Sequence, residues 1–320
     1  MAKKVAVIVL NWNSREMTAE CLRSLLAMDA RDFETVVVDN GSKDGSPDFL
    51  RKAFPQIAVI ENGRNLGFAA GCNVGMKRAL EDGSKYVLLV NNDTLVDRGM
   101  LRELVAEAER NPDAAIVSPR IYYYDFPDRI WWVGGTYNGW IGIPRHMDLR
   151  KKISAKHEKS RDLEWATGCA MLIRCNALRE IGLFDERFFG QCEDVDLSLR
   201  MRAGGYSIRY APEAKLWHKE GVDYRKNAGE QARKFTGARN LLWLMHKHAT
   251  PLQWVTFWPS FLVRYVGVLA LRSVKSGDFQ SARALFQGML AFWQMRRKSS
   301  AALPADIVLG RQRGPGTARR

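Results

Sequence analysis

Tyr86 to Thr94 reads YVLLVNNDT, an aliphatic run that stops at two amides and a carboxylate. Asp93 is a hard oxygen donor of the kind Mg²⁺ and Mn²⁺ take, and the amides of Asn91 and Asn92 can hydrogen-bond a sugar or a phosphate. Two clusters of the same character follow other aliphatic runs. Asn11-Trp12-Asn13-Ser14 comes after residues 5–10, and Asp39-Asn40-Gly41-Ser42 after residues 33–38. Further on, Glu193-Asp194-Val195-Asp196 opens a stretch of helical period, and His218 follows Trp217. Taken singly, each is explained as well by a turn, by carboxylates favoured at a helix start, or by a packed histidine.

Such clusters act together only if a scaffold gathers them. Val87-Leu88-Leu89-Val90 is apolar without alternation, which suits a strand buried on both faces. Similar runs at 5–10, 33–38 and 57–60 alternate with helical segments beginning near Ser14, Asp48 and Asn65. This β-α-β-α-β-α-β order predicts an α/β fold with an open, mostly parallel sheet and helices on both faces. Its ligands bind at the carboxyl ends of the strands, so the three polar clusters share one edge. Gly67 and Gly71, near a helix start, let backbone approach a ligand closely. Neither a Walker loop nor a G-x-G-x-x-G fingerprint is present, which counts against simple ATP or dinucleotide binding.

Beyond residue 97 the sequence predicts an amphipathic helix over 98–110, a strand at 115–118 and an irregular substrate-side loop from 121 to 159. A strand follows over Trp165–Arg174, then a helix in which Asp196 and Arg200 pair at i,i+4, ended by Gly204-Gly205. A strand over 207–210, a turn at Pro212 and a segment ending at His218 complete this part.

The chain has 320 residues, a formal net charge of +14 and five cysteines. The charge points to an anionic partner: nucleic acid, anionic lipid or a phosphorylated substrate. No nucleic-acid motif appears and the arginines are scattered, which disfavours nucleic acid. The cysteines lack zinc spacing, and their odd number fits a reducing compartment. The N-terminal MAKKVAVIVLNWNS turns polar too soon for a secretory leader and reads as a first strand.

VIVLNWN, VVVDNGSKDGS, NLGFAAGCN, VLLVNNDT and FDERFFGQCEDVDLSLRMRAGGYSIRYAPEAKLWH occur in that order. In order and spacing they resemble the inverting family-2 glycosyltransferases of the A-type fold, closest to the rhamnosyltransferase-like branch, over residues 4 to 222. The resemblance implies that Asp39 binds the nucleotide base, with Leu10 and Trp12 beside it. It places Gly67 and Asn73 near the ribose and diphosphate. Asn91-Asn92-Asp93 takes the position of the D-x-D motif, so Asp93 becomes a ligand of Mn²⁺ or Mg²⁺ and Asn92 a nucleotide-sugar contact. Asp194 matches the catalytic base and His218 a second metal ligand. Glu193 and Trp165 fall on the acceptor side, as support for the base or the acceptor. Asn91 stands where many members have aspartate, and Cys72 where an arginine is common.

The implied reaction is transfer of a sugar, L-rhamnose from dTDP-rhamnose foremost, from a dTDP- or UDP-sugar to a glycan or polyprenyl-phosphate-linked acceptor. Inversion needs one base for the acceptor hydroxyl and stabilisation of the departing diphosphate. Two other classes stay open: a nucleotidyltransferase, which would release pyrophosphate, and a non-catalytic module that keeps the fold and recruits partners to a membrane.

This reading divides the chain into a catalytic domain at 1–222, with a nucleotide-sugar half at 1–97 and an acceptor half at 98–222. A helical region at 223–298 and a disordered basic tail at 299–320 follow. Residues 252–271 are mostly apolar but broken by Pro259 and Arg264, with Trp254, Trp258 and Tyr265 of interfacial type. They suit helices lying in an anionic membrane surface, with Arg264, Arg272 and Lys275 near lipid phosphates. A hairpin packed on the catalytic domain or on a second subunit of a homo-oligomer is the alternative. The expected location is cytoplasmic, peripheral on the inner face of the cell membrane.

Overall fold

The structure is a computed structural model and describes residues 4–219, 222–268, 271, 275 and 277–297. The first part alternates as the aliphatic runs require: β1 (Val5–Asn11), α1 (Arg15–Leu26), β2 (Phe33–Asp39), α2 (Ser46–Ala53), β3 (Ala58–Glu61), α3 (Gly67–Glu81) and β4 (Tyr86–Asn91). β5 (Thr94–Val96), α4 (Met100–Arg110), β6 (Ala114–Tyr123), β7 (Ile130–Trp132), β8 (Gly135–Asn138), β9 (Ile143–His146) and β10 (Arg161–Asp162) follow. Then come β11 (Ala170–Arg174), α5 (Cys175–Ile181), α6 (Glu193–Ala203) and β12 (Ser207–His218). The C-terminal part is α7 (Val222–His248), α8 (Pro251–Phe261), a π-helical turn (Leu262–Val268) and α9 (Phe279–Arg297).

The main sheet runs β10-β12-β6-β11-β4-β1-β2-β3, with β5 on β12 and β7 on β6. β1 pairs parallel with β2 and β4, whereas β11 is antiparallel to both β4 and β6. The order around β1 and β4 reverses the direction of winding, and a crevice opens at such a switch point. Register sets the polar clusters side by side there: Asn11 is level with Asp39, and Leu10 with Asn91. Val87, Leu88 and Leu89 of β4 are fully buried, as an uninterrupted aliphatic strand demands.

Four expectations are corrected. Residues 121–159 are not an irregular loop. They pair as β7 on β6 and as the β8–β9 hairpin, and Arg120 closes the insertion by donating to Glu158 and to the His157 carbonyl. The strand expected from Trp165 begins only at Ala170, because Trp165 and its neighbours pack as a loop beneath the insertion. Pro212 does not end its strand; β12 absorbs it in a bulge between Ala211 and Lys215, where no ladder N–H is required. Leu26, expected on the apolar side of α1 with Cys21, Leu22 and Leu25, is the one of the four left exposed.

The C-terminal helices pack on the catalytic part. Lys247 and His248 of α7 contact Asp196 at 2.7 and 2.8 Å, where Arg200 also pairs at 2.9 Å. Pro251 opens α8 behind a Thr250–Gln253 capping box. Pro259 deprives the helix of a backbone donor, and the chain widens into the π-helical turn just after it. Phe257 and Phe261 are buried on one side, whereas Leu252, Val255, Leu262 and Val263 are exposed. Among the described residues no helix is long and apolar enough to cross a membrane. Lys275 is exposed. Arg272 and the tail 299–320 lie outside the described residues.

Candidate active site

A hydrogen-bonded chain joins the three polar strand ends. Asn92 Nδ2 donates to Thr18 Oγ1 at 2.9 Å, and Thr18 Oγ1 donates to Asn11 Oδ1 at 2.7 Å. Asn11 Nδ2 donates in turn to Asp39 Oδ1 at 2.7 Å, and the Ser42 backbone N–H donates to Asp39 Oδ2 at 2.9 Å. Asp39 is buried, and each of its oxygens keeps one further lone pair. Leu10 and Trp12 are half-buried at the end of β1. Thr18 was not identifiable as a site residue in the sequence, since its value lies in a contact 74 residues away in the chain.

The glycine-rich segment has a use the sequence did not show. Gly67 has φ +85°, and a side chain there would fall 2.4 Å from the Phe189 carbonyl oxygen. That carbonyl accepts the backbone N–H groups of Phe68 and Ala69, capping the start of α3. The close approach at Gly67 is therefore made by the protein's own loop. Asn73, expected beside the ribose and diphosphate, is instead tied elsewhere. It donates to the Phe184 carbonyl and to Glu186, and accepts from the Phe184 N–H, binding α3 to the segment before Asp194. Asn40, part of the second polar cluster, bonds to Asn62, Asn65, Leu66 and Gly67 and shapes the turn beside β2.

Asp93 Oδ1 and His218 Nε2 face each other at 3.1 Å, without the alignment of a hydrogen bond. β5 on β12 brings them together, since Thr94 is level with His218. Two ligands at right angles on bonds of roughly 2.1 Å stand about 3.0 Å apart, so the pair suits one divalent cation. Among the described residues no group of three or more histidine, cysteine or acidic side chains forms a metal cage. A cation here would need further oxygens from a ligand. Burial opposes a charge on His218, but Cys169 and Asp93 outweigh it and hold the imidazole toward its protonated form. Burial keeps the Cys169 thiol itself neutral, so Asp93 supplies the charge that matters. Trp131 meets the His218 ring edge-on at 4.4 Å and fixes its plane.

Asp194 sits at the start of α6. Its Oδ2 accepts the Gly168 N–H at 2.9 Å and its Oδ1 the Val195 N–H at 2.8 Å. Burial pushes the carboxyl above the ordinary aspartate range despite these donors. Glu193 is buried, and its Oε2 has no hydrogen-bond partner among the described residues. Burial first, then the charge of Asp194, drives Glu193 well above the glutamate range. Gly168 holds Asp194, and the next residue, Cys169, lies against His218 with Asp93 and Asp194 acting on its thiol. One short loop therefore touches both the acid pair and the Asp93–His218 pair. Trp165, expected at the acceptor, is buried. It packs 4.6 Å from Trp132 and donates to the Thr136 carbonyl, supporting the insertion that carries Trp131.

The loop leading into Asp194 is strained. Phe189, Gln191 and Cys192 have φ of 63°, 72° and 71°, a region that costs a residue with a side chain about 1–2 kcal/mol. α7 holds it in place. Asn240 Nδ2 lies 2.6–2.8 Å from the carbonyl oxygens of Phe188, Gly190 and Gln191, and Arg239 donates to Phe188 at 2.6 Å. Neither residue stood out in the sequence, where both sit inside an ordinary helical stretch.

Comparison with known proteins agrees with this geometry. The sequence model described as glycosyl transferase family 2 matches residues 6–187. An N-acetylglucosaminyl-diphospho-decaprenol L-rhamnosyltransferase of Mycobacterium tuberculosis is 27% identical over 235 residues, covering 68% of this chain and 76% of that protein. A low-salt glycan biosynthesis hexosyltransferase of Haloferax volcanii is 24% identical, covering 70% and 69%. In fold, the chain is similar to a mannosyltransferase from Pyrobaculum calidifontis solved with GDP-Man and Mn²⁺. The TM-score is 0.55 and the identity 19%, over 97% of this chain and 79% of that one. With more than half its length matched, and with the strand-end clusters gathered at one crevice, the chain belongs to glycosyl transferase family 2 and is a glycosyltransferase.

Proposed function

We propose that this glycosyltransferase moves a sugar with inversion from a nucleotide-sugar donor to a glycan or a polyprenyl-diphosphate-linked saccharide in cell-wall or surface-polysaccharide synthesis. dTDP-rhamnose is the first donor to try. The observation that carries the reading is the Gly168–Cys169 loop, which sets the Asp194 carboxylate beside the Asp93–His218 pair. The rhamnosyl assignment is supported by the rhamnosyltransferase activity for which the mycobacterial relative is named.

In this reading Asp194 takes the proton from the acceptor hydroxyl as that oxygen attacks the anomeric carbon. Its two backbone N–H donors hold the carboxylate in orientation. Burial and the neighbouring Asp194 charge hold Glu193 toward its protonated form. Asp39, oriented by Asn11 and Ser42, meets the base, and Asn92 the sugar-diphosphate. Asp93 and His218 would hold Mn²⁺ or Mg²⁺, which when bound neutralises charge building on the leaving diphosphate. Two structural neighbours were solved with Mn²⁺.

The exposed Leu252, Val255, Leu262 and Val263, with Trp140 at the hairpin tip, support peripheral attachment to a membrane that carries the acceptor. Thr256 of α8 donates to the Trp140 carbonyl, so hairpin and helix present these residues together.

The test is a donor panel read by thermal shift with Mn²⁺, followed by transfer assays. One nucleotide sugar should stabilise the protein and be turned over, and Asp194→Asn should stop turnover while keeping donor binding. Full turnover by Asp194→Asn would overturn the assignment of the base.

A further inference from the structure

α7, the π-helical turn and the loop before Asp194 enclose a cavity of about 490 Å³. Gln191, Glu230, Arg233, Lys234, Gly237 and Tyr265 line it. None of these belongs to the strand-end clusters assigned to the donor, so this space is distinct from theirs. Gln191 stands three residues before Asp194 in the strained loop. Gly237 of α7 faces that loop, and a Cβ there would stand in ordinary contact with Gln191 Oε1 at 3.5 Å.

The wall is cationic. Lys234 lies 3.1 Å from Glu230, and that carboxylate is largely exposed. Arg233 makes no ion pair among the described residues and is exposed. The lining therefore carries one positive charge in excess, with the Tyr265 hydroxyl and the Gln191 amide as neutral donors. A guanidinium beside an ammonium is the pairing that suits a phosphate or diphosphate, and the volume suits a phosphorylated sugar. The exposed Leu262 and Val263 lie on the turn that also carries Tyr265, an apolar exit for a chain attached to the phosphate.

We infer that this cavity is the subsite for the acceptor's phosphate or diphosphate, with Arg233 and Lys234 as its cations. The inference rests on the acceptor reading proposed above. It adds a second anion site, fed by α7, to the diphosphate site of the donor.

Calorimetry on the full chain tests it, with EDTA present so that no cation recruits diphosphate to Asp93 and His218. Geranyl diphosphate is the probe, and geraniol and inorganic pyrophosphate are the comparisons. Wild type should bind geranyl diphosphate at least tenfold more tightly than either. Arg233→Gln with Lys234→Gln should weaken that binding at least tenfold, and Arg233→Lys should keep it within threefold, which separates lost charge from lost fold. Equal affinity in wild type and the double variant overturns the proposal, as does no binding at all. Geraniol binding as tightly makes the cavity apolar, and pyrophosphate binding as tightly makes it a free-diphosphate site; either result also overturns it. Donor binding by wild type is read separately by thermal shift. A failure of the transferase reading therefore shows there, and a failure of the cavity in the calorimeter.

Discussion

Asp194 accepts two backbone N–H groups and still titrates high, because burial outweighs both. A base must be ionised to act, so the rate should fall on the acid side with a midpoint above the usual aspartate range. A pH–rate profile at saturating donor checks this, and Asp194→Asn should lower turnover by about 10²–10⁴-fold. Glu193 gives a stability prediction. Its folded form binds a proton more tightly than its unfolded form, so folding takes up a proton above pH ~4.5 and stability falls as pH rises toward the raised value. Glu193→Gln removes that dependence, and its Tm advantage over wild type should grow by roughly 2–4 °C between pH 5 and pH 8. Asp93, Asp194 and His218 stood out in the sequence because each ends an apolar run or opens a periodic one, and the family resemblance, not the pattern, supplied their expected roles. Thr18 and Trp131 did not, since their work is done through tertiary contacts that no local pattern announces.

At the scale of elements, α7 is an arm of the active site. Asn240 has two N–H groups to share among three carbonyls of the loop before Asp194. Asn240→Ala should cost about 1–3 kcal/mol of stability. By letting Asp194 drift it should lower kcat by roughly tenfold to a hundredfold, with donor Kd within threefold. Chemical denaturation and steady-state kinetics read the two effects apart. The alternation of strands and helices through β4 could be read from the sequence because aliphatic runs of four to six residues have few other uses in a parallel sheet. The insertion at 121–159 could not. Its strands are short, rich in glycine and aromatics, and stabilised by Arg120 and by edge-to-face packing of Trp132, His146 and Trp165 instead of by period.

Across the whole molecule the charge and the exposed apolar residues need a common partner. Trp140, Leu252, Val255 and Val263 are more than a third exposed, on a hairpin tip and a helix that touch. Leu252→Ser with Val255→Ser should reduce co-sedimentation with vesicles containing anionic lipid by at least fivefold, and leave turnover of a water-soluble acceptor within twofold. High salt should weaken wild-type binding only in part, because apolar burial is not screened.

The Phe189 carbonyl has a kinetic consequence. It caps α3, which leads from the glycine-rich segment, and it lies in the loop that α7 grips beside Asp194. On the reading proposed above, donor binding that shifts the start of α3 is passed through this peptide to the loop before Asp194, so the donor prepares the place of the acceptor. Addition should be compulsory in order, donor leading. Product-inhibition patterns, competitive for nucleotide against donor and noncompetitive against acceptor, would record it.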